Sequence, residues 1–142
     1  MPESVCFGCG PANPRGLGLR CFPDGNGLVA IWTGDERLAG WPGILNGGII
    51  ATLFDCLMIW TAVCVSNHDA TDDARLHSLP LTAELEVQFR RPTPSDATLR
   101  LRSNVVGQDA RRIDINAVLS VDDVTCATSH ATMSLPRRRI TR

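Results

Sequence analysis

Gly43-Ile44-Leu45-Asn46-Gly47-Gly48-Ile49-Ile50-Ala51-Thr52-Leu53-Phe54-Asp55 opens a run, Gly43 to Val65, that is nearly all apolar. Asn46 suits a helix cap, with Gly47 and Gly48 in the first turn behind it. Ile49, Ile50, Leu53, Phe54, Leu57, Met58 and Trp60 then cover nearly every helical face. A helix that is apolar all round is buried rather than laid on a surface. Asp55 is the one charged residue in the run. The segment is long enough to span a bilayer, but Asn46 and Asp55 lie inside it and a mid-span carboxylate is costly. The reading is therefore the buried central helix of a domain, with no membrane partner.

Downstream the pattern changes period. Thr82 to Arg90 alternates strictly, with Ala83, Leu85, Val87 and Phe89 on one face and Thr82, Glu84, Glu86, Gln88 and Arg90 on the other. Leu99 and Leu101 alternate with Arg100 and Arg102, and Ile113, Ile115, Ala117, Leu119 and Val121 with Asp114 and Asn116. Asp122-Asp123 reads as a hairpin turn before a last strand, Val124 to Leu135; Pro92-Thr93-Pro94 and Gly107-Gln108-Asp109 supply other turns. Upstream, the first residues are rich in Gly, Pro and Asn. Two strand-like runs follow, Leu17 to Phe22 and Leu28 to Thr33, joined by the turn Asp24-Gly25-Asn26-Gly27. Two strands, one long helix and four antiparallel strands make an α+β chain, and a curved sheet of about six strands wrapped around the helix buries it most simply.

The chain has 142 residues, 44% hydrophobic and 20% charged, which suits one domain over 1–142 with a basic, flexible tail at 136–142. A net charge of −1 gives no general attraction to nucleic acid. Every basic residue apart from the three His is Arg, so lysine Schiff-base chemistry is excluded. Residues 1–10 lack the basic and apolar regions of a secretory signal, which points to the cytosol and to reduced cysteines. Cys6-x-x-Cys9 with Cys21 resembles the start of a zinc site, but a second Cys or His pair at ligand spacing is missing. These thiols are read as buried or turn residues, with no metal. His68 and His77 fall in a polar loop with Asp69, Asp72 and Asp73, read as solvated. His130 falls on a strand, and no Gly-x-Ser-x-Gly elbow or dinucleotide fingerprint accompanies the three.

Cys6-Phe7-Gly8-Cys9-Gly10 followed by Asn13-Pro14-Arg15-Gly16-Leu17, the run Gly43 to Asp55, and Phe89-Arg90-Arg91-Pro92 together resemble a known family. They are similar, in order and over nearly the whole chain, to hotdog-fold acyl-CoA thioesterases of the phenylacetate-pathway type, the PaaI-like and 4-hydroxybenzoyl-CoA thioesterase superfamily. The resemblance implies a hotdog fold and acyl-CoA hydrolysis without a cofactor. It also implies a homodimer or homotetramer with sites shared between subunits. The family motif usually reads His-Gly-Gly, with an acidic residue eight positions after the first Gly; here the His is Asn46 and the acid is Asp55. Related enzymes often carry a polar amide a few residues upstream, where this chain has Ala39 and Gly40.

Thioester hydrolysis needs a carboxylate to attack the carbonyl or activate water, and donors for the oxyanion. Asp55 suits the first task as nucleophile or general base; the alternative is a structural carboxylate. Gly47 suits the second, because the N–H groups opening a helix are unpaired and its dipole adds positive potential. Asn46 caps the helix and is a candidate to orient the carbonyl or a water. Eight helical residues rise about 12 Å, so Asp55 and Gly47 of one chain do not easily reach the same carbonyl. If both are catalytic, Asp55 works with Gly47 of a second chain. Arg90 and Arg91 beside Pro92 are candidates for the coenzyme A phosphates, with Phe89 and Gly48 also in the substrate site. The acyl group is expected along the helix near Leu53, Phe54, Leu57 and Met58. Two alternatives remain: a non-catalytic acyl-CoA binding or sensing module, and a hotdog hydratase or dehydratase.

Overall fold

In the computed structural model, residues 1–66 and 79–136 are described. The elements run β1 (Phe22–Asp24), β2 (Gly27–Thr33), a short 3-10 helix (Glu36–Leu38), α1 (Gly47–Ser66), β3 (Leu81–Phe89), β4 (Thr98–Gln108), β5 (Arg112–Val121) and β6 (Val124–Ser134). The strands form one antiparallel sheet in the order β1-β2-β4-β5-β6-β3. Helix α1 packs against β2 through β6. Leu53, Phe54, Leu57 and Met58 meet Leu99, Leu101, Ile113, Ile115 and Leu119 in a core where all nine are fully buried. The helix is long and apolar enough to cross a membrane by length and composition, and here the sheet covers one side of that apolar surface.

The alternating strands behave as period-two elements should. In β4 and β5 Leu99, Leu101, Ile113, Ile115, Ala117 and Leu119 are buried on the helix side, while Thr98, Arg100, Arg102, Arg112 and Asn116 are exposed. Asp122 and Asp123 both have positive φ, 49° and 62°, the backbone of a two-residue hairpin turn whose twist matches its strands. In β3 the register shifts between Thr82 and Glu84, so Ala83 sits in a bulge and is exposed while Leu85 and Val87 are half-buried.

The expected first strand, Leu17 to Phe22, is shorter than its pattern suggested: only Phe22–Asp24 pairs with β2. The backbone of Leu17 and Leu19 is committed elsewhere, donating to Phe7 O and Gly8 O at 2.7 and 2.9 Å. The Trp32 indole also donates to Leu17 O at 2.7 Å. These bonds fold the N-terminal segment back on itself, with Gly8 against Thr52 and Cys56 of α1, instead of adding Leu17 to Cys21 to the sheet ladder. The polar loop holding His68 and His77, and the tail with Arg137, Arg138 and Arg139, lie outside the described residues.

Because β3 follows the helix and joins only β6, it forms one edge of the sheet. Leu81 and Phe89 on that edge are 70% and 57% exposed. An open edge carrying large apolar side chains is a surface that proteins normally cover.

Candidate active site

Helix α1 begins at Gly47, where the motif placed it. Asn46 Oδ1 accepts from the Gly48 N–H at 2.7 Å, and Asn46 O accepts from Ile49 and Ile50, so Asn46 is the N-cap. That bond fixes which amide atom is which. Asn46 Nδ2 then lies on the Gly40 side, 3.6 Å from where a Gly40 Cβ would be. Among the described residues, neither Asn46 Nδ2 nor the Gly47 N–H has an acceptor, leaving two adjacent donors at the positive end of the helix. The Gly48 N–H is already used by the cap, so Gly48 contributes no donor to a substrate.

These donors open into a groove of about 660 Å³, within the size range of small-molecule sites. Its lining includes Asn46, Gly47, Phe89, Arg90, Arg91 and Pro92, six of the residues singled out in the sequence. The Phe89 ring from the end of β3 lies over Gly47; a Cβ there would come within 3.3 Å of it. Arg90 and Arg91 both hang their backbone N–H on Cys126 O, at 2.8 and 3.0 Å, which turns the chain outward at the strand end. Arg90 hydrogen-bonds Gln88, and both guanidinium groups are exposed at the mouth of the groove.

Sequence reasoning missed the opposite wall, formed by Gly40, Trp41, Ile44 and Thr93. Trp41 is 78% exposed. A large aromatic in a Gly/Pro loop just before the helix cap, with nothing assigned to bury it, was the available signal. The loop is held by Glu36, whose carboxylate accepts from the Ser95 hydroxyl and from the Gly43 N–H. Those two bonds, the Ser95 one first, hold its pKa below the ordinary glutamate value. Bridges Ala39–Leu45 and Ile44–Pro94 complete the wall.

Asp55 is not in this groove. It is half-buried two turns further along α1, on a partly exposed stripe with Gly48, Ala51, Thr52 and Ile59. Thr82 Oγ1 donates to Asp55 Oδ1 at 2.7 Å, a contact across from β3 that the sequence did not announce. The four residues expected to line the acyl path, Leu53, Phe54, Leu57 and Met58, are fully buried between helix and sheet. They are core residues, because the sheet takes the face they occupy.

The cysteines also regroup. Cys21 stands apart, its thiol pushed up to about 12 mainly by burial. Cys6 and Cys9 are joined by Cys56 of α1, the three Sγ atoms all lying within 4.8 Å of one another. The Cys56 thiol and the Trp60 indole, which donates at 3.1 Å, hold the Cys9 thiol down to about 6, while Cys56 is raised by its bond to Cys9 and by burial.

One helix across a six-stranded antiparallel sheet, opening at its N-terminus into a groove beside a sheet edge, is the hotdog architecture. The PaaI protein of the phenylacetic acid degradation operon of E. coli shares it, with a TM-score of 0.71 at 15% identity over 85% of this chain and 81% of that one. A thioesterase from Haemophilus influenzae shares it at 0.72 and 15%, over 85% and 80% of the two chains. The thioesterase superfamily matches residues 42–127, from the loop before the helix cap into β6, and the chain belongs to that family. Among curated proteins, the acyl-coenzyme A thioesterase THEM4 of mouse is 25% identical over 101 residues, 70% of this chain and 39% of that protein. The cattle THEM4 is 29% identical over 98 residues, 68% and 35%. This chain thus spans less than two fifths of the length of the curated relatives it matches.

Proposed function

We propose that the protein hydrolyses an acyl-coenzyme A to the free acid and coenzyme A, in sites built between two copies of the chain. The observation that carries this reading is the pair of free donors, Gly47 N–H and Asn46 Nδ2, at the floor of an arginine-rimmed groove. A thioester carbonyl seated there would develop its oxyanion against donors that need no rearrangement. Phe89 and Trp41 would flank the pantetheine arm, and Arg90 and Arg91 would meet the phosphates. Asp55 of the second chain, aligned by Thr82, would attack the carbonyl or deprotonate a water.

The two-chain site rests on distance. Gly47 and Asp55 are eight residues apart on α1, a rise of about 12 Å. A carbonyl carbon about 3 Å from each bridges roughly half of that. The exposed β3 edge, with Leu81 and Phe89, supports association through a two-fold axis beside both groups. The names of the relatives point to the same substrate class, and the unpaired cysteines suit a reducing cytosol.

The test is a panel of short, medium, long and aromatic acyl-CoAs, followed by thiol release, with Asp55→Asn alongside. Hydrolysis by the native protein that falls at least a hundredfold in the variant is expected. Intact acyl-CoA bound without turnover across the panel would replace hydrolysis with a binding or sensing role. Loss of the conjugated enoyl absorbance of an enoyl-CoA with no thiol released would make the protein a hydratase.

A further inference from the structure

Three thiols that the thioester chemistry does not use meet where the N-terminal segment crosses α1. Cys6 and Cys9 lie on one turn, closed by the Gly10 N–H donating to Cys6 O at 2.8 Å. Cys56 rises from the helix beneath them. The Cys6 and Cys56 sulfurs are 3.7 Å apart, and Cys9 completes a triangle with no side longer than 4.8 Å. The turn can come down onto the helix only because residue 8 is glycine. A Cβ there would lie 2.3 Å from Cys56 Sγ and 3.0 Å from Thr52 Cγ2. The residue between the two loop cysteines is thus shaped around the third.

The spacing and chemistry of the group fit a thiophilic ion. Four ligands at a zinc–sulfur distance of about 2.3 Å in tetrahedral array put neighbouring sulfurs about 3.8 Å apart, which is the Cys6–Cys56 separation. A disulfide needs about 2.05 Å, so the same pair would have to close by more than an ångström. The Trp60 indole N–H donates to Cys9 Sγ at 3.1 Å, the kind of outer hydrogen bond that orients a thiolate ligand. Cys6 is exposed, so one side of the triangle is open to water.

We propose that Cys6, Cys9 and Cys56 form a zinc site, with water in the fourth position on the solvent side of Cys6. Binding displaces the thiol protons to solvent as the sulfurs become thiolate ligands. The ion would clamp residues 6–10 to the helix one residue past Asp55. That segment has no strand or helix of its own before Phe22, and its other ties are scattered backbone bonds such as Leu17 to Phe7 and Leu19 to Gly8.

The test uses the full chain, purified without a metal-binding tag and kept reduced. Metal analysis should find one zinc per chain, and cobalt(II) added to the chelator-treated protein should give a sulfur-to-metal charge-transfer band. Both signals should be lost in Cys6→Ser, whose exposed side chain makes it the safer variant for folding, and in Cys56→Ser. Both should persist in Cys21→Ser and Cys64→Ser. Chelation should also make residues near the N-terminus open to proteolysis while the sheet's circular dichroism is retained. Reduced native protein with neither zinc nor a cobalt band would overturn the proposal. So would signals that survive in Cys6→Ser and Cys56→Ser, or a chain mass two hydrogens short in the three-thiol peptides, which would mark a disulfide.

Discussion

Two individually inactive chains should make one working site when paired. Gly47→Pro removes one oxyanion donor with little other disturbance: proline is favoured at the first helical position, where the N–H has no intrahelical partner. A Cβ there would meet the exposed Phe89 ring, which can move. Loss of one such donor typically lowers kcat about 10²- to 10³-fold, and Asp55→Asn about 10²- to 10⁴-fold. The rise of about 12 Å between the positions assigns them to different sites within one chain. A mixed dimer then holds one site with Asp55 and Gly47 both intact and one with both lost. Co-expressing the two variants under different affinity tags and purifying through both isolates that dimer. Its acyl-CoA hydrolysis should run at about half the native rate, against about 1% or less for either variant alone. If each chain instead carried a complete site, every site in the mixed dimer would be broken and the rate would stay near 1%. That result, with the mixed composition confirmed by mass, would refute the shared site.

Thr82→Val should lower kcat about tenfold with KM unchanged, since it removes a hydrogen bond to a carboxylate that aims Asp55 and touches no part of the groove; an effect on KM alone would count against that role. Arg90→Gln with Arg91→Gln should raise KM for acyl-CoA about tenfold and leave an acyl-pantetheine lacking the nucleotide phosphates unaffected, whereas equal losses on both substrates would mean the arginines act elsewhere. Glu36 is depressed in the folded protein, so its contribution is fully present above the ordinary value of 4.5 and fades as pH falls through its lower folded value. Thermal melts of native protein and Glu36→Gln should therefore differ at neutral pH and draw together as acidification carries the pH below 4.5 and through that lower folded value; a gap that widens on acidification would have the sign wrong.

What the sequence made legible was periodicity. Apolar residues recurring every second position marked β4 and β5, and a run apolar on every face marked α1, because each pattern has one cheap way to be buried. The start of α1 was legible too, since Asn46-Gly47-Gly48 combines a capping side chain with residues that leave backbone donors uncovered. Leu17 to Cys21 was misread as strand because its apolar positions look like strand, while its backbone hydrogen bonds go back to Phe7 and Gly8 in the irregular N-terminal segment. A partner that distant in sequence leaves no periodic trace. The same holds for Thr82 on Asp55, twenty-seven positions away. It holds as well for Cys56, which no Cys-x-x-Cys spacing could pair with Cys6 and Cys9.

The misplaced acyl path has a different cause, and it bears on how the fold works. The helix was correctly read as apolar all round, but a hotdog sheet covers only one side of it. Leu53, Phe54, Leu57 and Met58 take that side completely. The N-terminal segment takes a second, through Gly8 on Thr52 and Cys56 and through Cys9 on Trp60. What is left is a narrow strip, Gly48, Ala51, Asp55 and Ile59, running from the donors at the helix start past the carboxylate and bordered by the open edge of β3. An apolar strip flanking a lone Asp is poorly suited to water, and on the two-chain reading it is where the partner's β3 edge and the acyl chain both come to rest. The same association that brings Asp55 to a second Gly47 would then wall the acyl channel, so the site and its specificity would arise in one step from pairing the chains.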